Sequence, residues 1–170
     1  MKHIALFLLG ILCSLGLSAQ TSSSSAALAC FVSDFTATNV RNAPAGEVVR
    51  QLPAGGTYTL AVCHPRNGWW QIVNGVVEAM EEDDIEIPGE AWIHSSVLGL
   101  STRNYGRQVL SLRAEPRANA AVTGRITVAE DLVHPQDVTE DLKWVKVSWG
   151  RYSGWIEAEW LCSNPVTTCP

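Results

Sequence analysis

The sequence predicts an all-β fold built from two similar small units in tandem, and three observations carry that reading. Short segments rich in Val, Ile, Thr, Tyr and Trp, at 57–63, 70–73, 109–113 and 144–149, alternate with clusters of Pro, Gly, Asn and Asp at intervals of about ten residues. Past the N-terminal apolar run, no stretch sustains the 3.6-residue period of an amphipathic helix. A set of landmarks also occurs twice in the same order.

The chain opens with Lys2 and His3, an apolar run over 4–17, and Leu17-Ser18-Ala19 before Gln20. This pattern reads as a secretory signal peptide over 1–19, its core too short for the roughly 20 residues of a membrane-spanning helix. Residues 20–35 read as a linker or arm. The first unit follows over 36–100 and the second over 107–162, with a tail at 163–170.

Val40-Arg41 with Pro44 recurs as Leu112-Arg113 with Pro116, His64-Pro65 as His134-Pro135, Trp70 to Val73 as Trp144 to Val147, and Trp92-Ile93 as Trp155-Ile156. The offsets are 72, 70, 74 and 63, so loops of different length separate elements of common order, as in a tandem pair rather than a solenoid. His-Pro reads as a shared structural feature at a strand end. Pro53-Ala54-Gly55-Gly56 supplies a turn, and 150–154 a hairpin loop. About five strands in roughly 60 residues would leave two open edges if laid flat, so closure into a small barrel is expected of each unit.

Between the Trp-x-x-Val and Trp-Ile segments the first unit carries extra residues, an insertion at 74–90 that holds Glu78, Glu81, Glu82, Asp83, Asp84, Glu86 and Glu90. Seven of the chain's 17 acids thus sit in one segment, which makes the net charge of -5 a local property. No run of Lys or Arg provides a footprint for nucleic acid or an anionic membrane. Glu81, Glu82, Asp83 and Asp84 lack the alternating spacing and turn glycine of a calcium loop, and read as a solvated hairpin tip. Their functional reading is a docking surface for a basic protein partner.

Four cysteines remain after the signal: Cys30, Cys63, Cys162 and Cys169. An even count in an exported chain points to disulfides, with three connectivities open. The short spacing of Cys162 and Cys169 leaves Cys30 with Cys63 as the simplest second pair. No Cys-x-x-Cys occurs, and no metal or cofactor is implied. Cys63-His64 makes a poor nucleophile and base, because neighbouring side chains on a strand point to opposite faces.

Taken in order, the landmarks resemble the bacterial SH3 domains known as SH3b, whose pattern is Val-Arg with a following Pro, a Leu-x-x-Gly turn (here Leu52 to Gly55), a Trp-x-x-Val strand, and a Gly-Trp-Ile strand closing toward a Leu. Ala91 stands where that family has Gly before Trp92. The resemblance implies two tandem SH3-like small β-barrels and a binding role, with cell-wall peptidoglycan or a peptide segment of an envelope protein as ligand. It also implies a periplasmic or extracellular location and no catalysis by this chain, although the family often accompanies wall peptidases.

Tryptophan is the residue type best suited to such a site, and there are seven. Alternation along 144–149 places Val145, Val147 and Trp149 on one face and Trp144, Lys146 and Ser148 on the other. If the aliphatic face is the core, Trp144 points outward, and by the repeat so does Trp70. The expected ligand-binding set is therefore Trp69, Trp70, Tyr58, Trp144, Lys146 and Tyr152. The alternative packs Trp92 and Trp155 into the cores and places Trp70 and Trp144 between the barrels. An adaptor that docks a protein through the acidic insertion is the competing function.

Overall fold

The computed structural model of the chain describes residues 27–167 and Cys169; the expected signal segment over 1–19 lies outside the described residues. The fold is all-β and antiparallel. Strands β1 (Leu28–Val32), β2 (Thr38–Arg41), β3 (Val48–Leu52), β4 (Tyr58–Arg66) and β5 (Trp69–Ile72) lead into β6 (Val76–Ala79) and β7 (Ile85–Glu86), followed by β8 (Trp92–His94) and β9 (Leu98–Thr102). The later strands are β10 (Leu110–Arg113), β11 (Val122–Ile126), β12 (Leu132–Val138), β13 (Trp144–Trp149), β14 (Tyr152–Glu157) and β15 (Leu161–Cys162). Single 3-10 turns at Val73–Gly75, Ser95–Val97 and Ala158–Trp160 are the helical elements among the described residues.

One pairing scheme is made twice. β2 pairs with β3 and β8, and β5 with β4 and β8; likewise β10 pairs with β11 and β14, and β13 with β12 and β14. Arg41 lies opposite Trp92 and Arg113 opposite Trp155, each just past a β-bulge in its strand pair. β9 joins the two sets. It pairs with β1, which also pairs with β4, and on the other side with β12 and β15. β9 therefore stands to β12 and β15 as β1 stands to β4 and β9.

This register corrects three sequence expectations. Leu28–Val32, expected within an arm, is a strand held between β4 and β9, because Leu28, Cys30 and Phe31 are buried there. Trp69 faces His94 and Trp70 faces Ile93, while Trp144 faces Glu157 and Val145 faces Ile156. The counterpart of Trp144 is thus Trp69, not Trp70, and a slip of one residue turns a side chain to the other face of the sheet. Trp70 is fully buried, and its Nε1 donates to the Pro135 carbonyl at 3.2 Å, tying β5 to β12. The two His-Pro pairs do not correspond either. His64 is exposed, with φ 49°, at the bulge of β4, whereas His134 sits within β12 opposite Ser148 with Nδ1 2.7 Å from the Leu98 carbonyl oxygen.

The core cluster is aliphatic apart from Cys30, Tyr58 and Trp70. Val40, Leu52, Val62 and Ile93 pack with Leu112, Ile126, Val145 and Val147 in one buried cluster. Trp92, expected in the core, is buried, on the strand face opposite Ile93, whereas Trp155, expected likewise, is only half-buried on the face opposite Ile156. Trp92 is covered there by the Arg66 guanidinium, 5.8 Å from its ring. The insertion folds as a hairpin, with β6 laid along β4 through Tyr58↔Ala79 and Thr59↔Glu78, and with residues 80–84 exposed at its tip. The 150–154 loop is tighter than expected: Trp149 pairs directly with Tyr152, leaving a two-residue turn at Gly150, whose φ of 54° costs glycine little.

Cys162 and Cys169 form a disulfide that closes the tail back on β15, and Cys169 N donates to Tyr105 Oη at 3.1 Å. Cys30 and Cys63 are free and buried, contrary to expectation. Cys30 is opposite Leu60, so Cys63 lies three residues further along β4, about 10 Å away, with its side chain alternating to the other face. Two Cα atoms at that distance are too far apart to bridge. Loop closure assigns the Cys162–Cys169 bridge about 2.5 kcal/mol. A reductant should therefore lower the melting temperature, and two thiols, Cys30 and Cys63, should react only on unfolding; an unchanged melting temperature would contradict this.

Candidate binding cleft

The outer face of β13 and β14 is where the second set of strands leaves an aromatic ring accessible. A cleft of about 250 Å³ opens there, lined by Leu110, Arg113, Trp144, Ile156, Glu157 and Trp160 among others. Strand alternation sends Val145 and Val147 inward and Trp144 outward, as the sequence pattern requires. Thr139 fixes the start of β13: its Oγ1 accepts from Trp144 N at 3.1 Å and its N donates to Trp144 O at 3.0 Å. Arg113 ends β10, its Nη1 donating to the Ala120 carbonyl at 3.1 Å. Trp160 arrives on the 3-10 turn after β14, its Nε1 donating to Glu157 Oε2 at 3.3 Å.

The cleft thus brings an indole face together with a guanidinium and a carboxylate. Its volume suits one or two side chains of an extended ligand rather than an enclosed small molecule. Of the expected set, Trp144 is the member that lines it. Lys146 is on the same outer face, half-buried opposite Trp155. Tyr152 belongs to the far end of the β13–β14 hairpin, its ring stacked on Trp149 at 5.8 Å with the Arg151 guanidinium 5.1 Å from the ring. Tyr58 is buried, donates its hydroxyl to the Pro53 carbonyl at 3.2 Å, and has its pKa raised by desolvation and then by Glu82. Trp70 is enclosed between β5 and β12 and offers no open ring.

Trp69 occupies the equivalent place in the first set. It is half-buried, its ring meets the edge of His94 at 5.0 Å and 71°, and the Arg41 guanidinium lies 5.8 Å from the ring centre. Arg41 Nη1 donates to Gly46 O at 2.6 Å, the counterpart of Arg113 with Ala120. Both arginines were visible in the sequence as landmarks, but not as site residues. Their partners Trp69 and Trp144 lie some 30 residues further along the chain, and only the fold brings them together.

Glu81, Glu82, Asp83 and Asp84 are all exposed at the tip of the β6–β7 hairpin, away from either indole. Among the described residues, no three His, Cys, Asp or Glu side chains gather where they could hold a metal ion. Cys63 is buried, and desolvation raises its pKa, which opposes the thiolate needed of a nucleophile. A larger hollow of about 500 Å³ lies over β1, β4 and β6, with Ala29, Thr59, Ala61, Met80 and Asn164 in its walls. No aromatic ring and no cation line it, so the smaller cleft at Trp144 has the chemistry of recognition.

No family model matches the chain, and no curated protein matches it. Among solved structures, it is similar to NlpC2 from Trichomonas vaginalis at 14% identity and a TM-score of 0.33, covering 84% of this chain and 50% of that one. It is also similar to NlpC1 from Trichomonas vaginalis at 15% identity and a TM-score of 0.32, covering 83% of this chain and 47% of that one. The chain spans about half the length of these two proteins. Likeness at this level assigns neither a family nor an activity.

Proposed function

We propose that this chain is an exported, non-catalytic binding module, a pair of SH3-like barrels that recognises cell-wall peptidoglycan or a peptide segment of an envelope protein. The observation that carries the reading is the cleft at Trp144, where a half-exposed indole is flanked by Arg113 and Glu157. A flat apolar ring beside one cation and one anion suits a peptide strand that alternates apolar and polar groups. The Cys162–Cys169 bridge fits an oxidising compartment outside the cytoplasm, and no helix of the described residues is long and apolar enough to cross a membrane.

Co-sedimentation with purified peptidoglycan and binding of envelope peptides test this directly. Trp144→Ala should weaken binding at least tenfold, or about 1.4 kcal/mol, while leaving the circular dichroism spectrum unchanged. Full binding by that variant would overturn the reading. The adaptor alternative is favoured by one observation, the exposure of Met80 and the four acids at the hairpin tip. Replacing Glu81, Glu82, Asp83 and Asp84 with serine should then abolish capture of a basic partner without altering the fold; retained capture would sink that alternative.

A further inference from the structure

The same scaffold position is built with different charge in the two halves. Where β13 and β14 set Trp144 against Glu157, β5 and β8 set Trp69 against His94. The arginine remains: Arg41, the register counterpart of Arg113, lies 5.8 Å from the Trp69 ring centre, and Arg113 lines the cleft with Trp144. We infer that the Trp69 position is a second binding site, selective for carboxylate groups of an acidic peptide, and that it operates separately from the Trp144 cleft.

Three features of the site support this. Arg41 is held over the indole by its single bond to the Gly46 carbonyl, which leaves the rest of its planar fork to take a carboxylate in two parallel bonds. Ser96 N donates to His94 Nδ1 at 3.2 Å, which leaves Nε2 as the ring nitrogen free to donate. The indole between them provides a surface for the apolar stem of the acidic side chain. The glutamate that gives the second cleft a negative wall has no counterpart here, since His94 fills its register position.

Around His94, Trp69 comes from β5 and Ser96 from its own turn, and two guanidinium groups lie over the indoles of this face, Arg41 5.8 Å from Trp69 and Arg66 5.8 Å from Trp92. Acidic ligands should accordingly bind here and basic ones should not.

N-acetylated penta-glutamate, titrated against the full chain labelled for NMR, tests the site through the indole N–H resonance of Trp69. The expected result is a shift at Trp69 and none at Trp144. Arg41→Gln and Trp69→Leu should each weaken binding about tenfold. Trp144→Ala should leave all of this unchanged, which separates the outcome from that of the peptidoglycan assay. An unmoved Trp69 resonance, an equal response to penta-lysine, or full binding by Arg41→Gln would each overturn the inference.

Discussion

Trp70→Ala is expected to destabilise the fold by about 4 kcal/mol, in the range for truncating a fully buried aromatic side chain. Trp70 has no exposed surface, so truncation leaves a void in the shared core that neighbouring strands fill only in part. It also strips the Pro135 carbonyl of its indole donor, in a place sealed from water. Trp69→Ala should cost much less, about 1 kcal/mol, because that ring is half in solvent already. Urea denaturation of the two variants measures the difference. A greater loss for Trp69→Ala than for Trp70→Ala would show the register of β5 to be reversed.

Gly75→Ala should remove about 3 kcal/mol through backbone strain and overpacking together. Gly75 has φ +65°, and a methyl group placed there would fall inside contact distance of the Ile87 carbonyl oxygen, a backbone atom that cannot swing aside. The same glycine accepts from Ile87 N at 2.8 Å, so the base of the acidic hairpin depends on it. Gly89→Ala is the matched control. Its φ is +82° with open space around the missing side chain, and it should cost only about 1 kcal/mol of conformational strain. Hydrogen exchange should show β6 and β7 opening in the Gly75 variant and staying protected in the Gly89 variant; equal protection in both would contradict the assignment of strain to Gly75.

How far the sequence reveals this molecule depends on whether a feature is local. The alternation of Val145 and Val147 with Trp144 and Lys146 is a property of adjacent residues, and the structure keeps it. The Trp69-Trp70 dipeptide is different, because both Trp69 to Ile72 and Trp70 to Val73 satisfy a Trp-x-x-aliphatic pattern. Pairing with His94 and Ile93 decides between them, and those residues are more than twenty positions away. Choosing the wrong frame sends the buried ring to solvent and the accessible one to the core.

The cysteines show the same limit. Cys162 and Cys169 are near neighbours in sequence and do bridge, whereas Cys30 and Cys63 lie on adjacent strands with their side chains out of step. β1 escaped recognition because five residues, Leu28–Val32, follow a serine-rich stretch and show their burial only once β4 and β9 lie on either side. In the Trp144 cleft the indole could be anticipated, but Arg113, Glu157 and Trp160 could not. Three separate elements deliver them, and no spacing rule in the chain links them.

The central claim is that the Trp144 cleft holds the ligand, and the indole N–H resonances test it most directly. Titration with soluble peptidoglycan fragments or an envelope peptide should move Trp144 and Trp160 together, because their rings line one cleft, while Trp70 stays fixed in the core. A ligand that binds without moving Trp144, or that shifts Trp149 at the far end of the hairpin instead, would contradict the account.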